Sequence, residues 1–231
     1  MSKKGIFAVA ISSPKGGVSK TTLCHSGCWA AVNNFNTASY LIHTDNTEPV
    51  SIDASRGYRQ YDCQFAADPI RDKSGEQLEK VKYYWNNLIE MAPKDERSIM
   101  FVDNGGNKEE LALFLAKLAD LIIIPTVVDG ISFKRGIQHY NQIKAGNSEV
   151  NVRFVVAGHN GKFAKRDQDI WDSVSDELKP LFMFLGKSSD LGVFIIDDEI
   201  KKKGWSQPNT PAANYSRAFF KYVLENLPEQ D

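Results

Sequence analysis

The residues from Ser12 to Thr22, Ser-Ser-Pro-Lys-Gly-Gly-Val-Ser-Lys-Thr-Thr, limit what this chain can fold into more than any other stretch. An apolar run from Ile6 to Ile11 precedes them and has the make-up of a buried strand; a run from Thr22 to Val32 follows and reads as a helix. A strand, a glycine-containing loop and a helix that opens on Lys-Thr form a cradle for phosphate. Backbone N–H groups of such a loop converge on the anion, and the helix N-terminus adds partial positive charge. In that cradle Lys20 reaches the outer phosphates and the Thr21 hydroxyl ligates Mg²⁺.

The common phosphate-loop pattern, G-x-x-x-x-G-K-[ST], is not met, because Pro14 and Ser19 stand at its two glycines. A second pattern, K-G-G-x-x-K-[ST]-T, is met by Lys15, Gly16, Gly17, Lys20, Thr21 and Thr22. On these residues the chain resembles the ParA/MinD family of deviant Walker A ATPases. The resemblance implies binding of ATP and Mg²⁺ through Lys15, Gly16, Gly17, Val18, Ser19, Lys20, Thr21 and Thr22, with Lys15 and Lys20 in catalytic roles. In the family the equivalent of Lys15 reaches across a dimer interface to the phosphates held by the other subunit, so the resemblance also implies an ATP-dependent homodimer. The family has glycine at the position of Ser19. A residue with a Cβ takes up glycine's backbone angles at a cost of about 1 kcal/mol or more. A strained or shifted loop, with nucleotide binding retained and slow turnover, is the expectation.

The rest of the chain alternates short apolar runs with longer amphipathic ones. Strands are expected at Ala38–His43, Ser98–Val102, Leu121–Val127 and Val152–Ala157, with a last short one at Val193–Ile196. Helices are expected at Gly75–Met91, Glu109–Leu118, Ser132–Lys144, Arg166–Leu178 and Pro211–Leu227. Thr47 to Asp72 is mixed and polar, and reads as a short helix with loops that touch ligand or partner. Short apolar strands separated by helices imply a parallel sheet covered on both faces. The expected fold is therefore α/β, a P-loop NTPase with a mostly parallel central sheet, in a single domain over residues 1–231. Ligands of such sheets bind beyond the carboxyl ends of the strands.

Two further acidic residues follow strands. Asp103 closes Ile-Met-Phe-Val-Asp and resembles the family's Walker B position, where a carboxylate holds Mg²⁺ through a water. Asp45 lies in His43-Thr44-Asp45, where the family has D-x-D; it is the candidate for orienting the attacking water and for touching the metal through water. His43 replaces the first of those aspartates and cannot supply its negative charge. Asn160, in Ala-Gly-His-Asn-Gly, falls where the family recognises adenine, although Asn-Gly is also a plain turn signal.

With 28 basic and 29 acidic residues and a net charge of −1, nothing pulls the whole chain toward nucleic acid or membrane. Local clusters remain: Lys201-Lys202-Lys203 beside Trp205, and Lys162, Lys165 and Arg166. Lysine clusters of this kind contact DNA phosphates without sequence preference. The last helix carries Arg217 and Lys221 against Glu225, Glu229 and Asp231, which suits packing on the sheet better than a cationic membrane anchor. Cys24, Cys28 and Cys63 are too few for a disulfide framework and read as buried thiols, with a metal site at Cys24, His25 and Cys28 as the alternative. No apolar run approaches the roughly 18 residues that span a bilayer, so a cytoplasmic, nucleoid-associated protein is expected.

The resemblance implies an ATP-driven switch in plasmid partition or stability, of the small plasmid-encoded kind (StbB- or TraL-like), working with a DNA-bound adaptor and in some cases beside conjugation modules. The alternatives are a nucleotide-binding scaffold with little hydrolysis, and a metabolic ATPase on the same fold.

Overall fold

The computed structural model describes residues 5–14, 16–44, 57–63, 74–93, 96–104, 109–186 and 210–229. Their strands form one seven-stranded sheet in the order β3-β2-β4-β1-β5-β6-β7, and every neighbouring pair is parallel. The strands are β1 (Ile6–Ser12), β2 (Ala38–His43), β3 (Arg59–Asp62), β4 (Ser98–Asn104), β5 (Leu121–Thr126), β6 (Val152–Ala157) and β7 (Phe182–Leu185). The helices are α1 (Lys20–Phe35), α2 (Ser74–Met91), α3 (Glu109–Leu118), α4 (Gly130–Gly146), α5 (Lys165–Asp172) and α6 (Pro211–Asn226).

The central strands β1, β4 and β5 are buried at every position, as a sheet with helices on both faces requires. Alternate residues of β1 divide between two cores. Phe7, Val9 and Ile11 pack with α1 and α6, whereas Ile6, Ala8 and Ala10 pack with α2, α3 and α4. Gly27 sits so close to β4 that a Cβ there would lie 2.5 Å from the ring of buried Phe101. That contact accounts for a glycine in mid-helix, where it costs about 1 kcal/mol in helix propensity relative to alanine. Tyr215, Phe219, Phe220 and Val223 of α6 are buried, and the rings of Phe219 and Phe220 lie against Phe101. The last helix therefore packs as expected, and no described helix is long and apolar enough to cross a membrane.

Several boundaries move. α1 begins at Lys20 rather than Thr22, because Ser19 closes the loop and its carbonyl already accepts from Leu23 N–H. α5 ends at Asp172 rather than Leu178: the Ser173 hydroxyl donates to the Ile170 carbonyl and competes with the helix backbone. Phe182–Leu185, where no strand was expected, is the edge strand β7, and Arg59–Asp62, inside the stretch read as helix and loops, is the opposite edge β3. β3 escapes pattern reading because its four residues are polar or half-exposed. The expected strand at Val193–Ile196 lies outside the described residues, as does most of Thr47–Asp72.

All three cysteines are free and buried. Burial pushes the Cys28 and Cys63 thiols up to about 12 and Cys24 well above its usual range. His25 is bonded through Nδ1 to the Tyr58 hydroxyl at 2.7 Å, and no group of three metal-ligating side chains occurs among the described residues. The buried-thiol reading holds there.

Candidate phosphate-binding site

The loop between β1 and α1 leaves the carboxyl end of the central strand, next to β4 and β5. Val18 is buried and anchors it. Gly16 and Gly17 are exposed, and a Cβ added at either would meet nothing within 4 Å. Their place is thus set by backbone and open space, as an anion cradle needs. Gly17 has φ +71°, the left-handed conformation that glycine adopts without strain. Lys20 opens α1 and is only 6% exposed. Lys15 lies outside the described residues.

Ser19 also sits in the left-handed region, at φ 71° and ψ 26°, and its side chain makes no capping hydrogen bond. The expectation of strain at this residue therefore has a specific backbone torsion behind it. Replacing Ser19 with glycine is expected to stabilise the fold by about 1 kcal/mol and to raise any nucleotide turnover. Urea unfolding and steady-state hydrolysis of the two proteins check this; equal midpoints and equal rates would count against strain.

Across from the loop, β4 brings Asp103 to the site. Its side chain is fully buried, and the Thr21 hydroxyl donates to its Oδ2 at 2.6 Å. β2 and β4 pair in register at His43 and Asp103, which brings His43 Nε2 to 3.8 Å from the same oxygen. A hydroxyl and a carboxylate that meet in this way are the hard oxygen donors Mg²⁺ prefers, with phosphates and waters completing its shell. Burial keeps the Cys24 thiol protonated beside this pair, and the Asp103 charge acts in the same direction.

Two residues unremarkable in sequence hold this corner together. Thr44 bonds the Asp103 carbonyl twice, through its hydroxyl at 2.6 Å and its N–H at 3.2 Å. The Gln77 amide of α2 reaches the carbonyls of Thr44 and Cys63. The peptide leading to Asp45 is thereby fixed on the strand that carries Asp103. Asp45 itself, and Lys201, Lys202 and Lys203, lie outside the described residues. Asn160 follows β6 at the same end of the sheet, but it is exposed and its side-chain oxygen accepts from Lys162 N–H at 3.0 Å in a local turn. Thr21, Lys20, Asp103 and His43 thus converge, while Asn160 stands apart from them as a turn residue.

No protein-family model matches the sequence, and neither does any curated protein. The fold, by contrast, is shared with solved structures over nearly the whole chain. A MinD cell division protein from Aquifex aeolicus is 16% identical with a TM-score of 0.63, over 97% of this chain and 99% of that one. A Cyanothece McdA variant in complex with ATP is 11% identical with a TM-score of 0.66, over 98% and 99%. A plasmid partition protein from Borrelia burgdorferi B31, described as putative and bound to AMPPNP, is 14% identical with a TM-score of 0.54, over 94% and 99%. At these identities the likeness speaks for the fold. By its seven-stranded parallel sheet and the loop that follows the central strand, the chain takes its place in the ParA/MinD group of P-loop folds.

Proposed function

We propose that this chain is an ATP-dependent dimerisation switch with weak ATPase activity, acting in the partition or positioning of DNA. The observation that carries the reading is the bond between Thr21 and Asp103, which joins the two halves of a metal–phosphate site at the carboxyl ends of β1 and β4. The ATP and AMPPNP complexes of proteins with this fold support the same ligand. On this reading the loop amides from Gly16 to Thr22 and the Lys20 ammonium hold the β- and γ-phosphates. Thr21 holds Mg²⁺ directly, and Asp103 and Asp45 hold it through water; the bound ion neutralises charge on the phosphates. Asp45 orients the attacking water, Asn160 lies toward the adenine, and Lys15 reaches the phosphates of a second copy.

Ser19 and His43 both argue for slow turnover. The first strains the cradle, and the second replaces a carboxylate with a ring that has no negative charge to offer. Slow hydrolysis suits a switch whose ATP-bound dimer must persist until a DNA-bound adaptor releases it. Lys201, Lys202 and Lys203 are the residues assigned to non-specific DNA contact.

A DNA-retention assay tests the function. Duplex DNA in low salt should be held in the presence of Mg-ATP and released with ADP. Replacing Lys201, Lys202 and Lys203 with alanine should abolish retention while ATP binding persists. DNA binding that ignores the nucleotide would contradict the reading.

A further inference from the structure

On the α3 and α4 side of the sheet, beyond the ends of β1 and β4, these helices enclose a cavity of about 640 Å³. Leu113, Ala116 and Ile143 give it apolar walls. Its polar side is a hydrogen-bonded chain. Gln142 bonds the His139 ring, His139 Nε2 lies 2.9 Å from Ser12 Oγ, and Asn104 Nδ2 donates to that same Oγ at 2.8 Å. Because Ser12 accepts from Asn104, its own proton goes to His139 Nε2, and the ring is neutral. Burial lowers the His139 pKa, which acts in the same direction. The far end of the chain is open: Asn104 Oδ1 is buried and has no hydrogen-bond partner. No Asp, Glu, Lys or Arg side chain is among the described residues that line the cavity.

We propose that this cavity is a second ligand site, separate from the phosphate loop, for a small, neutral, largely apolar molecule carrying one hydrogen-bond donor. Its volume falls within the roughly 300–1,000 Å³ typical of small-molecule pockets. A phosphate or carboxylate is excluded, because it would lose its water with no counter-charge in return. A donor is required, because an orphaned buried carbonyl carries a desolvation penalty that a ligand N–H or O–H removes. The polar chain fixes where that donor must point. None of this depends on nucleotide binding.

Calorimetric titration of the nucleotide-free protein with indole tests the site, with benzothiophene, close in shape and without the N–H, as the comparison. Indole should bind saturably with one site per chain, and benzothiophene about tenfold more weakly or less. Ala112 is half-buried and lines the cavity, so Ala112→Trp should fill the space and lower indole affinity at least about tenfold, with the melting temperature unchanged. Asn104→Leu should remove the preference for indole over benzothiophene. No saturable binding of indole, equal binding of the two probes to the wild type, or full indole affinity in a folded Ala112→Trp protein would each overturn the proposal.

Discussion

Replacing Lys20 with alanine should lower ATP turnover by about a hundredfold or more, the size of effect seen when one preorganised donor is taken from a developing charge. Lys20 is the first residue of α1 and is nearly buried, so its ammonium is held where the helix N-terminus already favours an anion. A surface lysine at the same sequence distance would be screened by water and replaceable; this one is not. Triphosphate affinity should fall with turnover, because the same contact binds the ground state and the transition state. Arginine should not rescue the variant, since its planar fork does not fit where a point charge sat. Steady-state hydrolysis and equilibrium binding of a fluorescent ATP analogue measure both effects. Turnover and affinity that match the wild type would remove Lys20 from the site.

The second large effect is expected at Asp103. An Asp103→Asn protein keeps the size of the side chain and loses its charge. It should lose Mg²⁺-dependent hydrolysis by about two orders of magnitude, the scale of a preorganised electrostatic contact. The geometry explains why the position is so sensitive. The carboxylate is fully buried, Thr21 bonds it from the loop, and Thr44 bonds its backbone from the neighbouring strand. One residue therefore joins the phosphate loop to the segment that leads to Asp45. EDTA added to the wild type should reproduce the loss, and excess Mg²⁺ should not restore the variant. Hydrolysis that survives both treatments would mean that Asp103 is a structural strand end.

What the sequence made readable follows from where the physics is local. Lys15 to Thr22 is one contiguous pattern, and a strand–loop–helix needs little else to define it. Asp103 was readable because a strand that ends in a carboxylate points it at the sheet's binding edge. Ser19 was readable as a departure from glycine, and its left-handed torsion is the physical form of that departure. Thr44, Gln77 and the Ser12–Asn104–His139 chain were not readable. Each joins residues from 33 to 127 positions apart, and threonine, glutamine and histidine carry no pattern that announces a partner at that distance. The edge strands failed for different reasons. β3 has no apolar alternation to detect, whereas Phe182–Leu185 is a short apolar run between Pro180 and Gly186 that strand rules could have found.

The central claim is that a triphosphate held by the loop after β1 joins two copies of this chain. Its most direct test is the mass of the Asp45→Ala protein by light scattering, in Mg-ATP and in Mg-ADP. The account predicts twice the 25.9 kDa of one chain with ATP, a single chain with ADP, and loss of the larger species in Lys15→Ala. A protein that binds one ATP per chain and stays at 25.9 kDa would contradict it.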